Sequence, residues 1–115
     1  MLPTLRSVVA STAVQRSQPE VLTGERHLGR GVRWVHISEV ANLTGMLTGG
    51  ELILSTGLPL ANGQAEEFID TLIKADAVGL IVELSHRLPV VPKVALERAR
   101  AADFPIIALH KQARF

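Results

Sequence analysis

The hydrophobic pattern of this chain is dominated by three short segments that are apolar almost throughout. They are residues 51–55 (ELILS), 78–84 (VGLIVEL) and 104–110 (FPIIALH). A strand that has one face in water alternates between apolar and polar residues, whereas a strand that is covered on both faces does not. The three segments therefore predict strands in the interior of a parallel sheet.

Around these strands, apolar residues recur at helical spacing. In residues 63–77 they occupy positions i, i+3, i+4, i+7 and i+8, and the acidic residues at the start suit the positive end of a helix dipole. An alanine-rich helix is predicted from Lys93 to Asp103, started by Pro92. Apolar residues over positions 5–13 predict an N-terminal helix of about three turns.

Two shorter strands are predicted ahead of the apolar segments, at residues 21–23 and 32–37. The link between them contains three glycines, which is typical of turns, and we expect a hairpin-like return there. Residues 57–64 (GLPLANGQ) are rich in turn-forming residues and are predicted to form a loop.

Strands that alternate with helices predict an α/β fold, in which a mostly parallel β-sheet is flanked by helices. The chain has 115 residues, of which 47% are hydrophobic, and this length suits one domain over residues 1–115. The net charge is +1 with acids and bases interspersed, so there is no basic stripe for nucleic-acid phosphates. We therefore expect that this chain does not contact nucleic acid directly.

Several classes of site find no support in the sequence. The absence of cysteine excludes disulfides and thiolate metal sites. The four histidines lack metal-binding spacing, and neither a G-x-S-x-G motif nor a phosphate-binding glycine motif is present. The N-terminal apolar stretch is too short and too interrupted to span a bilayer. We expect a protein that is not an enzyme, uses no metal or cofactor and does not enter a membrane.

Polar residues follow the ends of the predicted strands. The carboxyl ends of parallel strands meet at one edge of a sheet, and ligands of open α/β sheets bind in the crevice there. Carboxylates and hydroxyls at such an edge suit a small, nitrogen-rich metabolite better than a phosphorylated one. The candidate ligand-binding residues are Ser38, Glu39, Thr56, Gly57 and Glu83, with His36 and His110 as weaker candidates.

Some of these residues also have a purely structural interpretation. Ser38 could cap a short helix that begins there, with Glu39 in its first turn. His36 shares a strand face with Trp34, and a packed aromatic beside a hydrogen-bonded histidine is the alternative to a binding role. Glu83 lies in an apolar strand, so it must be at an exposed strand end or be paired, with Arg33 or a ligand as its partner.

Two motifs carry a resemblance to a known family. Residues 32–39 (VRWVHISE) match the pattern V-R-W-V-H-x-S-E, and residues 47–57 (LTGGELILSTG) match L-x-G-G-E-L-x-L-T-T-G, with Ser55 where a threonine is common. Together with the later GLIVEL and FPIIAL, they resemble the N-terminal domain of PucR-like transcription regulators, named for a regulator of purine catabolism. The resemblance covers nearly the whole chain.

This resemblance implies a regulatory, metabolite-sensing domain of a bacterial, cytoplasmic transcription regulator that controls nitrogen, purine or amino-acid catabolism. It also implies that DNA is bound through a C-terminal helix-turn-helix domain that this chain does not contain. In the ligand complex, Glu39 would accept hydrogen bonds from ligand N–H groups, while Thr56 and the Gly57 amide contact ligand carbonyls. We also expect the chain to form a homo-oligomer. The alternative function is a ligand-free interaction module that mediates dimerisation or holds the regulator in an inactive arrangement, with the Trp34 face or the helix at 93–102 as its contact surface.

Overall fold

The computed structural model describes residues 2–112 and is built on five strands: β1 (Pro19–Thr23), β2 (Trp34–Ile37), β3 (Glu51–Ser55), β4 (Gly79–Glu83) and β5 (Ile106–Leu109). They form one sheet in the order β1-β5-β4-β3-β2. The pairs β2–β3, β3–β4 and β4–β5 are parallel, and β1 lies antiparallel to β5. The predicted α/β fold with a mostly parallel sheet is confirmed. Residue 1 and residues 113–115 of the predicted domain lie outside the described residues.

Helices cover both faces of this sheet. Within the described residues the α-helices are α1 (Leu5–Val9), α2 (Thr12–Gln15), α3 (Leu58–Ala61), α4 (Ala65–Lys74) and α5 (Lys93–Ala101), and a 3-10 helix spans Glu25–His27. α3, α4 and α5 pack on one face, in a cluster that includes Phe68 and Ile53. α1 and α2 pack on the other face, in a cluster that includes Leu5 and Leu52. Because neighbouring residues of β3 are buried in different clusters, the strand is apolar without alternation.

Two helical segments differ from the prediction. The N-terminal helix is interrupted, because Ala10 ends α1 and the Ser11 hydroxyl caps α2 by accepting the Val14 N–H. Two short helices therefore replace one helix of three turns. Residues 57–64 are more ordered than a loop, since α3 forms there with Pro59 in its first turn, where a missing N–H does no harm.

The predicted hairpin-like return between the first two strands is wrong. β1 and β2 lie at opposite edges of the sheet. The buried Thr23 hydroxyl donates to the Phe104 carbonyl at 2.7 Å and accepts the Ile106 N–H at 3.0 Å. This contact fixes β1 beside β5, across more than eighty residues of sequence, and leaves β1 unable to pair with β2.

β2 forms the other edge, and it is exposed. Trp34, Val35 and Ile37 are 61%, 57% and 73% exposed. Within this chain Trp34 is therefore not the packed aromatic that the pattern suggested. Trp34 and His36 do share one face of the strand, in register with Glu51 and Ile53 of β3. An edge strand has a neighbour on one side only, so its side chains are covered less than those of β3.

Candidate functional site

The carboxyl ends of β2, β3 and β4 meet at one edge of the sheet and border a crevice of about 150 Å³. Two carboxylates and two hydroxyls lie beside an apolar floor. The lining residues are Ile37, Glu39, Leu54, Ser55, Thr56, Ile81, Glu83 and Leu109. Three of the seven predicted site residues, Glu39, Thr56 and Glu83, are brought together here.

Glu39 ties the end of β2 to the end of β3. Its Oε1 accepts the Ser55 hydroxyl at 2.9 Å and the Thr56 N–H at 2.7 Å, and its Oε2 accepts the Thr56 hydroxyl. Hydrogen bonds to an ionised carboxylate are stronger than neutral ones. A carboxylate offers about four lone-pair sites, so Glu39 keeps some acceptor capacity beyond these three bonds.

Gly57 turns the chain from β3 into α3 with a φ of +90°, in the left-handed region that favours glycine. Its N–H donates to the Ser55 hydroxyl at 3.0 Å. A Cβ at this position would lie 2.4 Å from Cδ2 of the buried Leu88. Gly57 therefore allows the close approach of the turn to the loop after β4.

A second cavity, of about 210 Å³, adjoins the crevice on the α3 side of the sheet. Thr56 and Glu83 line both spaces, and Gly57 and Arg87 line the second one. The described residues that line the crevice itself carry two acidic groups and no basic group. The crevice therefore favours a ligand with N–H donors or a positive charge.

Three predicted site residues are placed elsewhere. Ser38 is buried, and its hydroxyl accepts the Val40 N–H at 3.3 Å in a turn. No helix begins there, so the helix-cap alternative is wrong. His36 is half-buried within β2 and does not border the crevice. The His110 ring lies 2.9 Å from the Glu20 carboxylate, at the β1 side of the sheet.

Glu83 ends β4 and is half-buried at the carboxyl edge. The suggested pairing with Arg33 is wrong, because Arg33 lies at the amino ends of the parallel strands. Its N–H donates there to the Gly50 carbonyl, just before β3. The sheet topology thus separates the two charges, and Glu83 supplies the second carboxylate of the crevice.

Sequence reasoning missed the apolar floor, Ser55 and Arg87. The floor residues belong to strands whose pattern indicates burial, and nothing in the pattern shows that part of this face stays open. Ser55 occupies a hydroxyl position of the L-x-G-G-E-L-x-L-T-T-G motif, which was an available signal. Arg87 follows β4 in a loop, where no periodicity indicates which way its side chain is directed.

A larger groove, of about 460 Å³, lies between α4 and the connection from β2 to β3. Its polar groups include Asn42, Glu67, Asp70 and Lys74, and the Asn42 amide donates to Glu67 at 3.3 Å. It follows the side of a helix and lacks the converging strand ends of the crevice. We therefore favour the smaller crevice as the candidate site. Glu67 lies outside this crevice, so a substitution of Glu67 provides a control for substitutions of the crevice glutamates.

Residues 2–112 contain neither a metal centre nor a membrane-spanning helix. No group of three or more His, Asp or Glu side chains is arranged to hold a metal ion. No helix in this range has the length and hydrophobicity needed to cross a bilayer.

Comparison with known proteins identifies the family of this chain. The model of the purine catabolism regulatory protein-like family, PucR, matches residues 7–115. Curated protein sequences give no significant match. A crystal structure of the CBS and DRTGG domains of the regulatory region of Clostridium perfringens pyrophosphatase, complexed with the activator diadenosine tetraphosphate, is similar with a TM-score of 0.63. The two chains are 16% identical, and the match covers 94% of this chain and 44% of the other.

At 16% identity, the structural likeness shows a similar fold and nothing more. The family match is of a different kind, because it covers essentially the whole chain and includes both motifs, VRWVHISE and LTGGELILSTG. It fits a regulatory domain rather than a catalytic one. The chain belongs to the purine catabolism regulatory protein-like family.

Proposed function

We propose that this chain is the metabolite-sensing domain of a bacterial transcription regulator, and that a small nitrogenous metabolite binds in the crevice between Glu39 and Glu83. The observation that carries the proposal is the convergence of two carboxylates and the Thr56 hydroxyl over an apolar floor at the carboxyl edge of the sheet. Open α/β sheets bind ligands at this edge. The apolar floor suits one face of a flat or aliphatic ligand, and the acidic rim suits its N–H groups.

The hydrogen bonds support different proposed roles for the candidate residues. The Thr56 and Gly57 amides already donate to Glu39 and Ser55, so contact with ligand carbonyls through these amides would require those bonds to break. Glu39 and Glu83 therefore serve as the principal acceptors for ligand N–H groups. The Thr56 hydroxyl can accept from the ligand while it donates to Glu39.

Family membership supports the remaining parts of the proposal. The signal would pass to a C-terminal DNA-binding domain in the cytoplasm, where the regulator controls the catabolism of purines, amino acids or other nitrogen sources. Regulation by a ligand is compatible with the fold, because the similar pyrophosphatase region is itself regulatory and was solved with a nucleotide activator. The size of the crevice, about 150 Å³, favours a smaller molecule here.

Thermal unfolding in the presence of purines, ureides, amino acids and nucleotides tests this proposal. A ligand at about 100 times its dissociation constant stabilises a domain by about 2.7 kcal/mol, which shifts the melting temperature by several degrees. Glu83→Gln should abolish the shift, whereas Glu67→Gln, the same substitution in the α4 groove, should preserve it. The proposal fails if the folded domain responds to no compound, or if Glu67→Gln rather than Glu83→Gln removes the response.

A further inference from the structure

The two edges of the sheet are built very differently. At the β1 edge, Pro19 begins the strand, the register shifts between Val21 and Thr23, and Glu20 places a carboxylate 2.9 Å from the His110 ring. Proline, irregular pairing and charge are the devices that prevent an edge strand from pairing with another chain. The β2 edge has none of them over Trp34–Ile37, and three of its four side chains are exposed and apolar.

The backbone of β2 is also oriented for pairing. The Ser38 N–H donates to the Leu54 carbonyl of β3 at 2.9 Å. Because successive residues of a strand direct their N–H and C=O groups to alternate sides, the groups of Val35 and Ile37 face away from β3. Among residues 2–112, no other strand lies along that side.

We propose that a second copy of this chain pairs with β2 along this edge, antiparallel and about a twofold axis, so that two five-stranded sheets become one of ten strands. The axis passes beside His36, which lies opposite His36 of the second copy. In this register Val35 lies opposite Ile37 of the second copy, and their outward N–H and C=O groups form the ladder. The ladder itself needs only backbone groups of β2, so the pairing can form without a ligand, although Ile37 and Glu39 border both the crevice and the proposed interface.

Charge complementarity supports this occupant and this direction. Arg33 precedes β2 and Glu39 follows it. Antiparallel self-pairing places each Arg33 beside Glu39 of the other copy, whereas parallel pairing would place arginine beside arginine. Arg33 is exposed and otherwise donates to the Gly49 carbonyl at 3.4 Å, so its guanidinium can reach outward. Glu39 can accept it with the lone pairs that Ser55 and Thr56 leave available.

Self-pairing also covers apolar surface on both faces of the sheet. On the α1 side, Val35 and Ile37 lie in register with Leu52 and Leu54, and Leu54 is half-buried. On the α4 side, Trp34 is the largest exposed apolar side chain. Its indole would pack across the twofold axis, and buried aromatic anchors contribute strongly to interfaces.

Sedimentation velocity of the chain over a wide concentration range measures the association. Val35 and Val90 are 57% and 70% exposed, and Val90 lies in the loop after β4, so the same change at both gives a matched pair. We expect a wild-type dimer, an unchanged Val90→Lys, and a Val35→Lys whose dimer dissociates at least about tenfold more readily, about 1.4 kcal/mol. A wild-type monomer at every concentration, or a Val35→Lys dimer of wild-type affinity, overturns the proposal.

Disulfide trapping tests the register without a destabilising charge. The chain has no cysteine, so His36→Cys introduces one thiol per copy. Opposite residues of a non-hydrogen-bonded antiparallel pair have Cα atoms about 4.5 Å apart, within the range of a disulfide. Mild oxidation should convert His36→Cys to a covalent dimer rapidly, whereas Glu20→Cys at the β1 edge should remain largely monomeric. Equal, slow crosslinking of both variants overturns the pairing.

Discussion

Removal of the Glu39 carboxylate tests whether the crevice is held in shape by its own hydrogen bonds. Glu39→Ala deletes the acceptor of three bonds, from the Ser55 hydroxyl, the Thr56 N–H and the Thr56 hydroxyl. Bonds to a charged group contribute about 1.5–3 kcal/mol each when buried. Thr56 is exposed and water can replace part of its share, so we expect a total loss of about 2–3 kcal/mol.

Glu39→Gln should have a smaller effect. The amide oxygen can take the place of Oε1 and accept from the Ser55 hydroxyl and the Thr56 N–H, while its NH₂ group donates to the Thr56 hydroxyl. The geometry is then kept and the charge is lost, which we expect to cost about 1 kcal/mol, since charge-assisted bonds are about twice as strong as neutral ones.

Urea unfolding followed by far-UV circular dichroism measures both changes in free energy. Glu67→Ala is the matched control, because it removes an exposed glutamate that accepts a hydrogen bond from the Asn42 amide, and it should cost less than about 0.5 kcal/mol. The expected order of stability is Glu67→Ala, then Glu39→Gln, then Glu39→Ala. If Glu39→Ala is as stable as Glu67→Ala, the carboxylate does not hold the strand ends together and the reasoning is wrong.

Three further predictions concern separate parts of the fold. Gly57→Ala should destabilise the domain by about 2–4 kcal/mol in urea unfolding, because its Cβ would collide with Leu88. Gly63→Ala, at a φ of +75° with open space around the added Cβ, should cost about 1 kcal/mol. Equal losses would show that Leu88 moves aside freely. Thr23→Val should cost about 2–4 kcal/mol, because it leaves a buried carbonyl and a buried N–H without partners, and Thr23→Ser should restore most of this in the same assay. Arg98→Ala breaks two exposed ion pairs and should cost less than about 1 kcal/mol, decreasing further in high salt; a larger, salt-independent loss would contradict that assignment.

The core of the fold could be predicted because its pattern is local. Leu52 and Ile53 are buried on opposite faces of β3, as a strand without alternation indicates. The stripe that includes Phe68 and Leu72 likewise predicted α4 and its buried face. In both cases, residues a few positions apart decide the outcome.

The errors concern properties that depend on distant residues. Whether a strand is central or at an edge depends on the order of the whole sheet. The exposure of Trp34 could therefore not be predicted from the alternation of residues within β2. The hairpin failed because Thr23 bonds to Phe104 and Ile106, far along the chain. His110 pairs with Glu20 for the same reason, since β1 lies beside β5.

The candidate site was predicted in part. Parallel strands place their carboxyl ends together whatever their order, and this is why Glu39, Thr56 and Glu83 could be grouped from the sequence. The bonds that Glu39 makes to Ser55 and Thr56 could not be predicted, because they depend on the register of β2 against β3.

The most direct test of the metabolite-sensing proposal is a titration of the ¹⁵N-labelled domain with each of the purines, ureides, amino acids and nucleotides, followed by amide chemical shifts. The account predicts that a binding compound shifts the amides of Thr56, Gly57 and Glu83 in a saturable way, while those of Asn42 and Glu67 in the α4 groove stay unchanged. Saturable shifts confined to the α4 groove, or no saturable shift with any compound, would contradict it.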